Sequence, residues 1–294
     1  MLAAHEKIYS VMQQLQVLTH EFKDHPWIPG WINAGYEILF VDDPKDIVST
    51  IPVVCGSDLI NDYVRHWLNA QQPAVYIGRG YVGNHTSKQR RLWRMSMNSW
   101  ANTVLRPIPY SRWDKMQLPR HPWKVKQVQN VLVAPSKLVS HLWASVKTHV
   151  WAESLMDKFP GAEVKIRYKA STPGERWSTL WDDLDWADLV VTQSSAITCE
   201  AFWYGKKVIS IEPCPTWAAE HTKLEDWQNP HEPELRDAWH EHLAWSQFTI
   251  DEWASGEALS LMEQYMGPVM NYDPGHGYNF SSTITKTRHQ PPDI

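Results

Sequence analysis

The chain has 294 residues, a formal net charge of -5, 43% hydrophobic residues and 21% charged residues. This composition supports a folded core of one large or two average domains, and it excludes a disordered polyelectrolyte. No apolar run approaches the roughly 18 residues that cross a bilayer, and the first residues lack the basic and apolar regions of a signal peptide. We therefore expect a cytoplasmic protein with no membrane insertion.

The first part of the chain changes from a helical period to short apolar runs. Residues Glu6 to Phe22 place apolar side chains at helical spacing, which predicts an amphipathic helix. Short apolar runs bounded by Gly, Pro or Asp follow at Tyr36–Val41, Ile51–Cys55 and Ala74–Ile77. Because helix-length stretches separate them, these runs predict buried and mostly parallel strands.

A proline-rich connector precedes a second series of strands and helices. Four prolines between Leu105 and Trp123 exclude a continuous helix. The predicted strands after it are Asn130–Ala134, Glu163–Tyr168, Asp188–Thr192 and Lys207–Ile211, and the predicted helices are Lys137–Phe159, Thr179–Ala187 and Ile197–Tyr204. The alternation predicts a doubly wound sheet. We expect domains at 1–125 and 126–270 and a tail at 271–294.

The strongest candidate site follows the predicted strand that ends at Thr192. Ser194 or Ser195 can cap the next helix, and Gly205 ends that helix. Amide groups at the helix start favour a phosphate, at the sheet edge where doubly wound folds bind ligands. Glu200 follows just over one turn later, within reach of a ribose hydroxyl. An ordinary capped helix with a solvated glutamate would have the same pattern.

These residues resemble the donor-binding domain of GT-B glycosyltransferases, particularly the capsule-polysaccharide type and similar phage-encoded, DNA-modifying proteins. Further resemblance lies in Asn98–Asn102, Pro109–Trp113, Pro122–Lys124, Ala134–Lys137 and His242–Thr249, so that it covers about 72–266. The resemblance implies an α/β fold with two facing Rossmann-like domains and an interdomain cleft. It also implies a metal-independent transferase with a nucleotide-sugar co-substrate, a UDP-sugar by expectation, and no further cofactor. A phage-encoded relative would work in the host cytoplasm.

The resemblance also implies which residues bind the donor. The leaving nucleoside diphosphate gains negative charge in the transition state, so a metal-independent site needs cations beside it. The residues implied for the phosphates and ribose are Ser194, Ser195 and Glu200, and those implied for the leaving group are Lys137, Arg167 and Lys169. Lys137 as a helix cap and Arg167 as a solvated charge at a strand end are the structural alternatives.

An inverting reaction needs a general base for the acceptor hydroxyl. Asp58 follows the strand that ends near Cys55, and His85 follows the glycine loop. Both lie at predicted carboxyl ends of first-domain strands, as do Asp42 and Asp43. We predict Asp58 as the base and His85 as its reserve, with a helix N-cap as the alternative for Asp58.

The stretch Gly78-Arg-Gly-Tyr-Val-Gly83 matches the dinucleotide fingerprint after a predicted strand. That fingerprint also requires an acidic residue about 20 residues further on. Asp114 is the first acidic residue after Gly83, so an NAD site is disfavoured. We predict instead that Gly78, Gly80 and Gly83 form a tight loop facing the cleft, where the backbone approaches a donor or acceptor.

A basic segment from His85 to Lys126 has ten Lys or Arg residues against Asp114 alone. Tryptophans among these cations suit nucleic acid, because cations bind phosphates and rings stack on bases. The predicted DNA contacts are Arg90, Arg91, Trp93, Arg94 and Arg112. Together with the resemblance to phage-encoded proteins, this segment makes a hydroxymethylated pyrimidine flipped out of phage DNA the predicted acceptor. The alternatives are tryptophans packed in a core, a surface or capsule glycan as acceptor, and a non-catalytic nucleic-acid-binding protein.

Metal binding is not predicted. The three cysteines have no paired spacing, which argues against a disulfide framework and a zinc ribbon. His240 and His242 alternate on a predicted helix and point to different faces, so they do not form a ligand pair.

Overall fold

A computed structural model describes residues 14–18, 27–41, 53–55, 75–83, 92–97, 105, 111–136, 148–168, 173–193, 195–211 and 214–266. The chain divides into two compact units. The first comprises Met1–Trp100 and Trp245–Thr285, and the second comprises Ala101–Ala244 and Lys286–Ile294. Among the described residues, no helix is long and apolar enough to span a bilayer.

The described strands are β1 (Gln14–Leu18), β2 (Glu37–Val41), β3 (Val53–Cys55), β4 (Val75–Arg79), β5 (Trp93–Met97), β6 (Asn130–Val133), β7 (Glu163–Ile166), β8 (Leu189–Thr192), β9 (Lys207–Ser210) and β10 (Gln247–Phe248). The described helices are α1 (Trp27–Asn33), α2 (Arg112–Lys115), α3 (Thr148–Ser154), α4 (Pro173–Trp186), α5 (Ile197–Trp203), α6 (Arg236–Ala244), α7 (Ile250–Ala254) and α8 (Glu257–Met266). Short 3₁₀ helices lie at Met156–Lys158, Pro215–Ala218 and Leu224–Asp226.

The sheet of the first unit has the order β10-β5-β4-β3-β1-β2. The four strands β1 to β4 are parallel, whereas β5 and β10 pair antiparallel. The strands predicted within Tyr36–Val41, Ile51–Cys55 and Ala74–Ile77 are confirmed. The sheet is therefore parallel from β1 to β4, and it is antiparallel at the edge formed by β5 and β10, for which no strand was predicted.

The helix predicted over Glu6 to Phe22 is wrong for Gln14–Leu18, which is the strand β1. This strand lies between β2 and β3 and pairs parallel with both, with Leu15 opposite Ile38 and Val17 opposite Val53. The sequence QLQVL alternates polar and apolar residues, which is also the period of a strand. Backbone pairing on both sides outweighs the weaker helical spacing.

The core of the first unit contains residues from both of its chain segments. Trp27 and Trp31 of α1 and Trp253 of α7 pack with Val53, Ile77 and Phe248. A side chain at Gly30 would place its Cβ 1.5 Å from the carbonyl oxygen of Trp253, so glycine is what allows α1 to approach α7. Thr249 and Glu252 form a capping box at the start of α7.

The second unit contains the predicted doubly wound pattern. Its sheet has the order β7-β6-β8-β9, and all its pairs are parallel. The four predicted strands and the helix after β8 are confirmed, and α4 begins earlier than Thr179. Of the helix predicted over Lys137 to Phe159, the structure describes α3 followed by a 3₁₀ turn. The sheet core includes Val131, Val133, Leu189, Val191 and Ile209.

The described part of the proline-rich connector belongs to the second unit because it packs on α6. Arg112 and Trp113 are buried. The Nε of Arg112 donates to the carbonyl oxygen of Ala244 at 2.7 Å, and the amide of Trp113 donates to Glu241 Oε2 at 3.1 Å. Along the chain, the first unit gives way to the second between Trp100 and Ala101, and the second to the first between Ala244 and Trp245. The expected tail at 271–294 lies outside the described residues.

Candidate functional site

The strand order of the second unit reverses between β6 and β8. From β6 the chain crosses to β7 on one side, and it later returns to β8 on the other side. The connections leave these two neighbouring strands in opposite directions, and doubly wound sheets bind ligands outside the carboxyl ends at such a point. Ala134–Ser136 follow β6 at this edge, and Gln193, Ser195 and Ala196 follow β8. Ser194 lies outside the described residues.

Ser195 lies at the entry into α5 and makes two hydrogen bonds there. Its amide donates to Thr192 Oγ1 at 3.3 Å, and its Oγ accepts from the amide of Ile197 at 3.4 Å. The N-cap residue is Ala196, with no side-chain cap. The Ser195 hydroxyl accepts from the second amide after it, as the side chain of an N-cap residue does, although the helix boundary lies one residue later than predicted. The amide predicted to be free at Ser195 is engaged by Thr192.

Glu200 is enclosed by its surroundings. All seven residues of α5 are buried, and Glu200 is 8% exposed. The helix start is fixed further by Thr198 Oγ1, which donates to the carbonyl oxygen of Ser195 at 2.9 Å. Burial of a carboxylate is unfavourable unless it has polar partners. The alternative of a solvated glutamate on an ordinary helix is thereby excluded.

A buried polar layer lies where β8 and β9 end, and the sequence analysis did not predict it. Ser210 Oγ donates to the carbonyl oxygen of Gln193 at 2.8 Å. Cys214 Sγ lies 2.9 Å from Thr216 Oγ1, and burial raises the pKa of the Cys214 thiol. These polar residues at the ends of apolar strands are the signal that would have identified the layer. The hydrogen bond from Ser210 holds the backbone of Gln193, directly after β8.

Arg167 is bound to α4. Its Nε lies 2.8 Å from Asp183 Oδ2, and the ammonium of Lys165 contacts Oδ1 of the same carboxylate. The side chains of Arg167 and Asp183 are 12% and 8% exposed, so Arg167 is not a solvated charge. Two cations share one carboxylate, which leaves this group with a net positive charge. Lys137 and Lys169 lie outside the described residues.

The glycine loop after β4 packs within its own unit. The amides of Tyr81 and Val82 donate to Gln247 Oε1 at 2.7 and 3.3 Å, and the amide of Gly80 donates to the carbonyl oxygen of Leu92 at 2.8 Å. A Cβ at Gly80 would lie 2.7 Å from Leu92 Cβ. A Cβ at Gly78 would crowd the ring of Tyr76 in the same way.

The amides of Gly80, Tyr81 and Val82 therefore have partners within their own unit, and an approach of this loop to a donor or acceptor stays a prediction. Gly83 has a φ of 81°, which a glycine adopts without strain. Close packing and backbone geometry account for all three glycines, Gly78, Gly80 and Gly83. Sequence spacing alone could not distinguish this packing from a ligand-binding loop.

Two of the arginines assigned to DNA are buried. Arg94 is 7% exposed, and its guanidinium lies 5.2 Å from the ring centroid of Tyr76 and 4.6 Å from that of Tyr81. Arg112 is 5% exposed and is bound to α6 as described above. Guanidinium groups packed in this way do not face a phosphate backbone, which contradicts the DNA assignment for these two residues. Trp93 is half-buried on β5, and Arg90 and Arg91 lie outside the described residues.

The predicted catalytic bases also lie outside the described residues, namely Asp58 and His85 with Asp42 and Asp43. Within the described ranges, no group of three or more His, Cys, Asp or Glu side chains could hold a metal ion. His240 is 1% exposed, and burial, with nearby Arg236, lowers its pKa to about 3. It is therefore a neutral side chain packed against Trp113, with ring centroids 4.6 Å apart.

No family model and no curated protein matches the chain. Two solved structures with some similarity are Kdo transferases of KpsC from Thermosulfurimonas dismutans. The β-Kdo 2,7 transferase has 12% identity and a TM-score of 0.48, over 83% of this chain and 98% of its own. The β-Kdo 2,4 transferase has 11% identity and a TM-score of 0.43, over 81% of this chain and 92% of its own.

Proposed function

We propose that the chain is a glycosyltransferase that binds a nucleotide-sugar at the carboxyl edge of the β7-β6-β8-β9 sheet. The observation that carries this proposal is the reversal of strand order between β6 and β8, with Ser195 and buried Glu200 following β8. A ligand at this edge meets a polar turn, a short helix and an enclosed carboxylate. The sequence resemblance to GT-B donor domains involves these same residues.

Each residue at the edge has a role that fits its chemistry. The amide of Ala196, which is an exposed residue, and the hydroxyl of Ser195 are donors for the phosphates of the ligand. The carboxylate of Glu200 accepts from a ribose hydroxyl. Arg167 lies at the end of β7, and with Lys165 it keeps a net positive charge beside Asp183. That charge favours the leaving nucleoside diphosphate, whose negative charge grows as it departs.

In the proposed reaction, an acceptor hydroxyl attacks the anomeric carbon of the sugar. The new glycosidic C–O bond forms as the bond from that carbon to the diphosphate oxygen breaks. The hydroxyl proton passes to a general base, for which Asp58 and His85 remain the candidates. The nucleoside diphosphate leaves with the bonding electron pair, so no redox partner is needed.

We propose a glycan hydroxyl as the acceptor, in place of a hydroxymethylated pyrimidine in DNA. The DNA assignment depended on cations of the basic segment, and burial of Arg94 and Arg112 removes two of them from that role. Binding along a duplex would need a row of free cations that follows the phosphate backbone. A neutral or acidic glycan does not require one.

The first test is ligand binding. A ligand that binds the native state raises the apparent stability by RT ln(1 + [L]/Kd). We would measure the melting temperature with nucleotides and nucleotide-sugars based on uridine, guanosine, adenosine, thymidine and cytidine. One of them should stabilise the wild-type protein, and Ser195→Ala and Glu200→Gln should reduce that stabilisation. Glu225→Gln, at an exposed position of the same unit, is the matched control.

The second test is transfer. Label from the stabilising nucleotide-sugar is offered to purified surface glycans, to DNA containing hydroxymethylcytosine or hydroxymethyluracil, and to unmodified DNA. Transfer to a glycan is the expected result, and transfer to modified DNA would restore the DNA acceptor. Absence of stabilisation by every ligand in the panel would refute the glycosyltransferase proposal.

A further inference from the structure

We propose that the side chain of Gln193 binds the donor substrate, by accepting a hydrogen bond from a hydroxyl or N–H group of the nucleotide-sugar. This inference rests on the proposed function, since it assigns a contact to the same sheet edge. It goes beyond Ser195 and Glu200 because it assigns a further contact, from a residue directly after β8, to a hydroxyl or N–H group of the ligand.

The first observation is an unsatisfied polar atom. Gln193 is 3% exposed, and its Oε1 has no hydrogen-bond partner in the described part of the chain. Roughly nine in ten buried polar groups in proteins have at least one partner. An amide oxygen removed from water without a partner destabilises the native state. A ligand that supplied a donor would remove this penalty.

The second observation is where the amide lies. Gln193 directly follows β8, which pairs with β6 at the reversal of strand order and with β9 on its other side. Its carbonyl oxygen is held by Ser210 Oγ at 2.8 Å. The backbone of Gln193 is thus fixed between two strands, directly before the turn that Ser195 forms. Its side chain begins at the edge to which the ligand is assigned.

The chemistry of the orphan atom limits its partner. Amide oxygens accept hydrogen bonds, and the ionised phosphates of a nucleotide have acceptors and no donors. Gln193 Oε1 therefore cannot bind the diphosphate, which is assigned to Ser195 and Ala196. A nucleotide-sugar offers suitable donors on the ribose, on the base and on the transferred sugar. Binding of the free nucleotide separates the first two sources from the third.

Replacement of Gln193 by methionine tests this role, because methionine keeps the length of the side chain and has no amide. The variant should melt at the same temperature as the wild type or higher without ligand, since a buried acceptor without a partner has been removed. Its affinity for the stabilising nucleotide-sugar should fall about tenfold or more. An equal loss for the free nucleotide assigns the contact to the nucleoside, and an intact free-nucleotide affinity assigns it to the sugar.

Gln129→Met is the matched control, because Gln129 is exposed in the same unit, and it should change neither property. Two results would overturn the inference. One is wild-type affinity in Gln193→Met. The other is a melting temperature that falls well below the wild type, or failure to fold, since either means that Gln193 has a structural partner. If no nucleotide or nucleotide-sugar binds even the wild type, the proposed function fails together with this contact.

Discussion

Replacement of Gln247 by leucine should destabilise the first unit, although this residue lies 165 positions from the loop that it holds. Gln247 Oε1 accepts from the amides of Tyr81 and Val82 at 2.7 and 3.3 Å. Tyr81 and Val82 are 1% and 0% exposed, so water cannot replace the lost acceptor without opening the loop. Leucine has a similar volume and removes the acceptor for both amides.

The magnitude follows from the two amides. A buried donor left without a partner costs about 1–3 kcal/mol. The contact to Tyr81 is short and its loss has the full effect, whereas the longer contact to Val82 contributes less. We expect the free energy of unfolding to fall by about 2–4 kcal/mol. At about 3 °C per kcal/mol for a unit of this size, the melting temperature falls by about 6–12 °C.

Calorimetry and urea denaturation would measure this change, with Gln129→Leu as the control at an exposed position. Hydrogen exchange gives a local measurement, because the amides of Tyr81 and Val82 should exchange faster in Gln247→Leu than in the wild type. A melting temperature within 2 °C of the wild type, with these two amides still protected, would show that the loop does not depend on Gln247.

Three further predictions follow from packing and burial. Arg94→Met should lower the unfolding free energy by about 1–2 kcal/mol through lost contacts with Tyr76 and Tyr81. It should leave the salt dependence of any DNA binding unchanged, whereas a weaker dependence of DNA affinity on salt would restore the DNA role of Arg94. Gly205→Ala should lower the free energy of unfolding by more than about 2 kcal/mol in denaturant melts, because the φ of Gly205 is +87° and the new Cβ would lie 2.1 Å from the carbonyl oxygen of Pro122. Gly161 has a φ of +84° and no atom within 4 Å of a new Cβ, so Gly161→Ala should lower it by about 1 kcal/mol. Equal losses in the two variants would contradict the packing argument. Burial lowers the pKa of His240 from 6.5 to about 3, so between pH 3 and pH 6.5 the unfolded state binds more protons and stability is lost as the pH falls. His240→Phe should make the melting temperature depend less on pH in this range, and an unchanged pH profile would show that His240 does not contribute.

The inner strands β6 and β8 of the second unit could be predicted because they are apolar on both faces, whereas the edge strand β7 alternates exposed and half-buried positions. Leu189–Thr192 is buried at every position and reads as a continuous run in the sequence. The strand Gln14–Leu18 could not be predicted with the same certainty, since its alternation is short and also fits one face of a helix. Its structure is decided by pairing with β2 and β3, which are distant in sequence.

The candidate site also has residues that could be predicted from the sequence and contacts that could not. Ser195 and Glu200 could be placed from the sequence because they follow a clear strand and precede a clear helix. The pairing of Arg167 with Asp183 could not, since it depends on how α4 packs against β7. Arg94 was assigned to DNA because it lies in the basic segment, and its packing against Tyr76 and Tyr81 depends on how β5 pairs with β4.

The divided sequence of the first unit has a consequence for synthesis on the ribosome. Strands β1 to β5 emerge before residues 101–244 of the second unit, but β10, which pairs with β5, and Trp253, which packs on α1, emerge after them. Until then the edge of β5 and the apolar face of α1 have no native partner, and unpaired strand edges and exposed apolar faces promote aggregation. Residues 101–244 can meanwhile complete their own sheet. Nascent chains halted before residue 245 should therefore hold a protease-resistant second unit and a first unit that depends on chaperones.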